Sequence, residues 1–219
     1  MRRPCALLAL ALLVGPAAAQ APAPADLLFE RPQWQAAQAG ETLAYRYSRQ
    51  SPLESVFGAN IEDRIRLTVE PGAAAETRTV RVEMFSQTRR RAAGPFEDVP
   101  GNPAIVLFLE HHLENLARVL KANPRYLKNA IRAGLRDRAA VAAADVAIEG
   151  RSVPGWRVEA KPFAEDANKA KMRGLDSLAY TFLVADAVPG AVVSLEARAT
   201  DDSGNQILLE RLAYDPSAR

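Results

Sequence analysis

The order of hydrophobic patterns along this chain predicts an α+β fold: a curved antiparallel β-sheet of about eight strands with a two-helix hairpin inserted after the third strand. Three observations carry that prediction. Apolar residues alternate with polar ones at period two in runs that open and close the chain, as in strands with one wet and one buried face. Two Asn-Pro pairs near the middle each precede an apolar stripe at helical spacing. The strand runs follow one another at hairpin spacing, which implies antiparallel pairing, and only the helical pair is available to cover the sheet's apolar face. Composition agrees. Of 219 residues, 48% are hydrophobic and 25% charged, which excludes disordered, collagenous and coiled-coil chains.

The first residues are expected to be removed. Arg2 and Arg3 precede an apolar run from Cys5 to Val14, shorter than the ~20 residues that span a bilayer. Gly15 and Pro16 break the run, and Ala17, Ala18 and Ala19 offer the small residues a signal peptidase reads. Residues 1–19 therefore read as a signal peptide cleaved before Gln20, and the protein as periplasmic or secreted, with no transmembrane segment in the mature chain. Residues 20–26 read as an extended Pro/Ala linker, and residues 27–215 as a single α+β domain.

The elements follow in order. Leu43, Tyr45 and Tyr47 form one inward set, Ile65, Leu67 and Val69 a second, and Val80, Val82 and Met84 a third, with Pro71 and Gly72 turning the chain between the last two. The turn-dense stretch 94–101 reads as a loop leading to Asn102, an N-cap, and Pro103, the first helical position. The first helix is expected to reach about Lys121. Its stripe is Ile105, Leu109, Leu113, Leu116 and Leu120, with Leu109 and Leu113 in the core. Asn123 and Pro124 start a second helix to about Arg138, with Leu127, Ile131 and Leu135 as its stripe. About five strands then complete the sheet. Four of them are marked by Trp156, Val158 and Ala160; by Tyr180, Phe182 and Val184; by Val193, Leu195, Ala197 and Ala199; and by the run from Gln206 to Tyr214 that follows the turn at 201–205.

In element order this arrangement resembles the half-barrel lipoprotein-carrier folds of the bacterial periplasm. A second resemblance rests on residues. The stretch Gly94, Pro95, Phe96, Glu97, Asp98 and Val99, followed by Gly101, Asn102 and Pro103, by Phe108, Leu109 and Glu110, and by the runs 123–126 and 129–132, is similar to a family of small secreted α-proteobacterial proteins to which no activity is assigned. That resemblance implies export and no particular chemistry.

Charge and cysteine usage narrow the function classes. Lys and Arg number 28 against 26 Asp and Glu; removing residues 1–19, which hold Arg2 and Arg3, brings the formal net charge from +2 to zero. Attraction to nucleic acid or to an anionic membrane is not expected. Cys5 is the only cysteine, so the mature chain has no thiol for a disulfide, a zinc-thiolate site or a nucleophile.

The candidate binding surface is a basic stripe on the second helix. Arg125, Lys128, Arg132 and Arg136 are spaced three, four and four apart, a face that can grip an anion or a partner; a solvated face is the plainer alternative. His111 and His112, with Glu110 and Glu114 nearby, suggest metal, but adjacent helix positions diverge by ~100° and the spacing fits neither His-Glu-x-x-His nor its inverse. His111 reads as solvated and His112 as bordering the apolar stripe. Arg89, Arg90 and Arg91 read as a sheet-edge guard. Glu97 and Asp98 read as a loop buttress, and 201–205 as a turn lacking calcium-loop spacing. Gly150, Ser152 and Gly155 miss the nucleophile-elbow spacing by one residue. No catalytic residue, cofactor or metal is expected. Tyr45, Tyr47, Phe57, Phe85, Trp156, Tyr180 and Phe182 read as core, or as the lining of a ligand cavity under the helices. The function these observations suggest is a non-catalytic binding or carrier module for an apolar or lipid-like ligand. The alternative is an envelope structural or protein-interaction module, and the third reading is a carboxylate- or His-dependent enzyme.

Overall fold

Period-two alternation does build strands where it was read. In the computed structural model, which describes residues 21–218, Thr42–Gln50 (β1), Ile61–Pro71 (β2) and Arg78–Met84 (β3) bury Tyr45 and Tyr47, Ile65 and Leu67, and Val80 and Val82 on one face. Arg91–Val99 (β4) follows. After two helices come Ala140–Ile148 (β5), Arg151–Ala160 (β6), Ala179–Val184 (β7), Val192–Thr200 (β8) and Gln206–Tyr214 (β9). All pair antiparallel in one curved sheet of nine strands, in the order β4-β3-β2-β1-β9-β8-β7-β6-β5. The first and last strands meet in the middle, and the two edge strands, β4 and β5, are the ones that flank the helical insertion in the chain. The expected signal peptide and its cleavage point lie outside the described residues.

Two expectations about the sheet need correction. There are nine strands rather than about eight, and the hairpin follows the fourth strand rather than the third. The stretch read as a loop belongs to β4. Its pairing with β3 shifts register twice, Gly94 has φ +88°, and most of its residues are exposed. An edge strand with a bulge and no buried face leaves no period-two signal. The linker also differs. Residues 24–25 are helical and Asp26–Glu30 forms a π-helical turn that buries Leu27 and Leu28.

Both helices start as their caps dictate. Pro103–Leu120 (a longer helix, α2, than the single turn α1 at Glu54–Phe57) and Pro124–Asp137 (α3) each carry an Asn N-cap and a first-turn proline. Asn102 accepts from the Ala104 amide at 2.9 Å and Asn123 from the Arg125 amide at 2.9 Å. Asn102 does more than cap. Its Nδ2 donates to the Tyr45 hydroxyl and to the Gly190 carbonyl, both at 2.9 Å, and its own amide donates to Gln33 Oε1. A Cβ on Gly190 would sit 2.5 Å from that Nδ2, so only glycine lets the β7–β8 turn approach the helix start.

The buried face of α2 is rotated from the expected stripe. Ile105, Phe108, His112, Leu116 and Val119 are buried, at spacings of three, four, four and three, while Leu109, Leu113 and Leu120 are only partly buried. The helix meets the sheet on one side and α3 on the other. Hydropathy averages the two faces and assigns no weight to a buried histidine.

Candidate functional site

The centre of the sheet-facing row is polar. His112 and Glu210 are both 0% exposed, and His112 Nδ1 lies 2.9 Å from Glu210 Oε2. Tyr47 donates its hydroxyl to the other carboxylate oxygen, also at 2.9 Å. Strand register explains the convergence. Arg49 pairs with Glu210 across β1 and β9, Ala197 pairs with Glu210 across β8 and β9, and Tyr180 pairs with Ala197 across β7 and β8. The middle of α2 lies over these strands, with the His112 ring stacked on Phe108 (centroids 6.2 Å apart) and edge-on to Tyr180 (5.6 Å).

The electrostatics follow from burial. Desolvation pushes the Glu210 carboxyl up, but the charge and hydrogen bond of His112, then His111 and the Tyr47 hydrogen bond, outweigh it and hold the group below its ordinary range. Burial raises the Tyr47 and Tyr180 hydroxyls, and the neighbouring Glu210 charge raises both further. An ionised Glu210 accepts only, so His112 Nδ1–H and the Tyr47 hydroxyl are its donors. His112 Nε2 and the Tyr180 hydroxyl are buried without a hydrogen-bond partner. A histidine oriented by a carboxylate is a familiar base arrangement. Here both side chains are fully buried, with Phe108 and Tyr180 against the imidazole, and the hydrogen bond joins the helix to the sheet. Of the aromatics read as core or as a cavity lining, Tyr45, Tyr47, Phe57, Phe85, Tyr180 and Phe182 are buried in the core and Trp156 is partly buried.

His111 leaves the helix on another side. Its Nδ1 lies 3.1 Å from an Arg91 guanidinium nitrogen, and its ring packs edge-on to Tyr47 (5.6 Å) and Phe85 (5.0 Å). It is half-buried rather than solvated, and burial pulls its pKa below 6.5, with Arg91 and Arg49 acting in the same direction against Glu210 and Glu114. The two histidines therefore have different neighbours and do not converge.

The other face of α2 builds an open groove. Leu109 and Leu113, with Ile131 and Leu135 of α3, form its floor, and Phe29 from the N-terminal turn closes one end. Val106, 43% exposed, lies at the rim. The volume is about 270 Å³. Three of the four stripe residues, Lys128, Arg132 and Arg136, line it together with Glu110. Lys128 reaches Glu110 at 3.6 Å, and Arg136 pairs with Glu30 and lies over the Phe29 ring at 5.8 Å. Arg132 has no ion-pair partner among the described residues. Arg125 is exposed on the first turn of α3, beyond the groove. Among the described residues the stripe is thus divided between two paired cations, one unpaired cation in the groove and one cation outside it.

A larger cleft of about 870 Å³ lies between α3 and the ends of β6 and β7, but Glu159, Lys161, Glu165 and Asp166 give it charged walls, and Tyr126 donates to Asp166 at its rim. The remaining candidates make local contacts. Arg89 pairs with Asp63 at 2.8 Å and Arg90 with Glu83. Asp98 accepts from the Thr77 hydroxyl and the Ala73 amide, tying β4 to the β2–β3 turn. Asp201 accepts from the amides of Ser203 and Asn205 and closes the β8–β9 hairpin.

Sequence reasoning missed the Glu210 cluster, although a signal was present. In β9 the inward positions are Leu208, Glu210 and Leu212, and a carboxylate in an inward period-two set demands a buried partner. No helix among the described residues is long and apolar enough to cross a membrane. The sequence matches no protein-family model and no curated protein.

Proposed function

We propose that this protein is an exported, non-catalytic binding module for a lipid-like ligand with an apolar tail and an anionic head, and that the ligand occupies the groove between α2 and α3. The observation that supports this reading is the pairing of an apolar floor, Leu109, Leu113, Ile131 and Leu135, with a charged wall of Lys128, Arg132, Arg136 and Glu110, in which Arg132 has no ion-pair partner among the described residues. Apolar area supplies affinity of about 25 cal/mol per Å² removed from water, and a guanidinium fork at the rim selects a carboxylate or phosphate. At about 270 Å³ the groove is near the lower end of small-molecule sites, ~300–1,000 Å³, which suits one short acyl chain. Export through residues 1–19 fits a carrier working outside the cytoplasm.

Calorimetric titration with decanoate and with decanol tests the reading. Decanoate is expected to bind one per chain, and decanol at least about tenfold more weakly, which corresponds to about 1.4 kcal/mol for the lost head-group contact. Leu113→Asp is expected to abolish binding of both. Decanoate heats indistinguishable from dilution would sink the proposal.

A further inference from the structure

The two edges of the sheet are built differently. β4 is broken by two register shifts, contains Gly94 and Pro95, and carries Arg91, Glu97 and Asp98. These are the devices that stop an edge from pairing with another chain. β5 has only one of them, a single charge. It pairs with β6 over all nine residues without a register shift, contains no Gly, Pro or Lys, and has Asp145 as its single charge. Ala140, Ala142, Ala143 and Ala147 are exposed. Among the described residues, the strand's backbone has no partner on its outer side.

We infer that β5 pairs antiparallel with β5 of a second copy of this chain across a two-fold axis at Ala144, joining two nine-stranded sheets into one. This goes beyond the ligand-binding reading and does not depend on it. A second copy fits because the strand is self-complementary about that axis. About that axis Ala140 faces Ile148, Val141 faces Ala147, Ala142 faces Val146, and Ala143 faces Asp145 of the other copy, so no like charges oppose and no bulky side chains collide. The flanks match in charge. Glu149, which follows β5 and pairs with Arg151 at 3.7 Å, comes opposite Ala139 of the other copy, beside Arg138; Glu149 and Arg138 are both exposed. An axis at Asp145 would instead set two carboxylates face to face, so charge disfavours that register.

Sedimentation equilibrium of the full chain, with Cys5→Ser, over a wide concentration range tests the pairing. The expected result is a reversible dimer. Ala144→Lys puts two ammonium groups at the axis and is expected to raise the dimer dissociation constant at least tenfold, with an unchanged circular dichroism spectrum. Ala142→Lys serves the same purpose if the first variant does not fold. Ala144→Cys on the Cys5→Ser background places the two thiols directly opposite, within the ~4.4–6.8 Å Cα separation a disulfide needs, and is expected to give an oxidised dimer on a denaturing gel. A monomer at every concentration, a dimer that the lysine leaves intact, or an Ala144→Cys protein that stays monomeric under oxidation would each overturn the inference.

Discussion

One helix, α2, presents two faces made from similar material and used in opposite ways. The sheet-facing row of Ile105, Phe108, His112, Leu116 and Val119 is buried, and each oxygen of the carboxylate opposite it has one hydrogen bond, from His112 and from Tyr47. The groove-facing pair Leu109 and Leu113 is only partly buried, and its charges sit on the rim in water. Burying a charge is costly unless it is paired and hydrogen-bonded, so the sealed face has one arrangement that works. The open face pays no such penalty and tolerates change. The difference separates a face committed to the core from a face left open beside α3.

The largest expected effect comes from breaking the buried pair. His112→Ala or Glu210→Ala strands an uncompensated polar group under α2 and is expected to cost about 3–5 kcal/mol in urea denaturation. A loss below about 1 kcal/mol would mean that water reaches the cluster. Next come the two leucine positions. Leu116→Ala on the sealed face is expected to cost about 2–5 kcal/mol, and Leu113→Ala on the open face about 1–2 kcal/mol, because only part of that side chain leaves water on folding. Equal losses would erase the contrast between the faces.

Acid is expected to act on the sealed face. Glu210 is held below its ordinary value of 4.5 in the folded chain, so the unfolded state binds its proton first. Its contribution to stability is present above about pH 4.5 and is lost as pH falls through the depressed folded value. His111 is held below 6.5; the folded state resists its protonation, so its contribution is present above about pH 6.5 and also declines on acidification. Chemical-denaturation midpoints should therefore fall from pH 7 toward pH 3, and Glu210→Gln should flatten the part below pH 4.5. A parallel profile for the variant would show that other carboxylates, such as Asp63, Asp201 and Asp215, set the slope. The smallest effect on stability belongs to the rim. Replacing Arg125, Lys128, Arg132 and Arg136 together with Gln should leave the unfolding midpoint nearly unchanged, since exposed ion pairs contribute little, while decanoate affinity falls. Unchanged affinity would leave the stripe a solvated face.

Much of the frame was legible from local chemistry. Asn102-Pro103 and Asn123-Pro124 each dictated a helix start, because a side-chain oxygen and a pre-set φ satisfy an N-terminus whatever surrounds it. Leu43, Tyr45 and Tyr47, like Ile65, Leu67 and Val69, dictated their strands because a half-buried sheet needs period two. The four-residue and three-residue spacings of Arg125, Lys128, Arg132 and Arg136 placed them on one side of α3 in advance. β4 escaped notice because an edge strand buries too little to alternate.

By itself, the sequence determined the α+β class, both helix starts, the turn at 201–205 and the absence of any thiol beyond Cys5. Those features depend on residues within a few positions of one another, where sterics and backbone hydrogen bonding act. Only the tertiary structure decided that His112 would meet Glu210, 98 positions away. It likewise decided that α2 would turn Leu109 and Leu113 toward α3, and that β4 and β5 would be the sheet's two edges. Each of those outcomes is set by which distant surface an element packs against. A buried charge and its partner become visible together only when strand register has brought them within hydrogen-bonding distance.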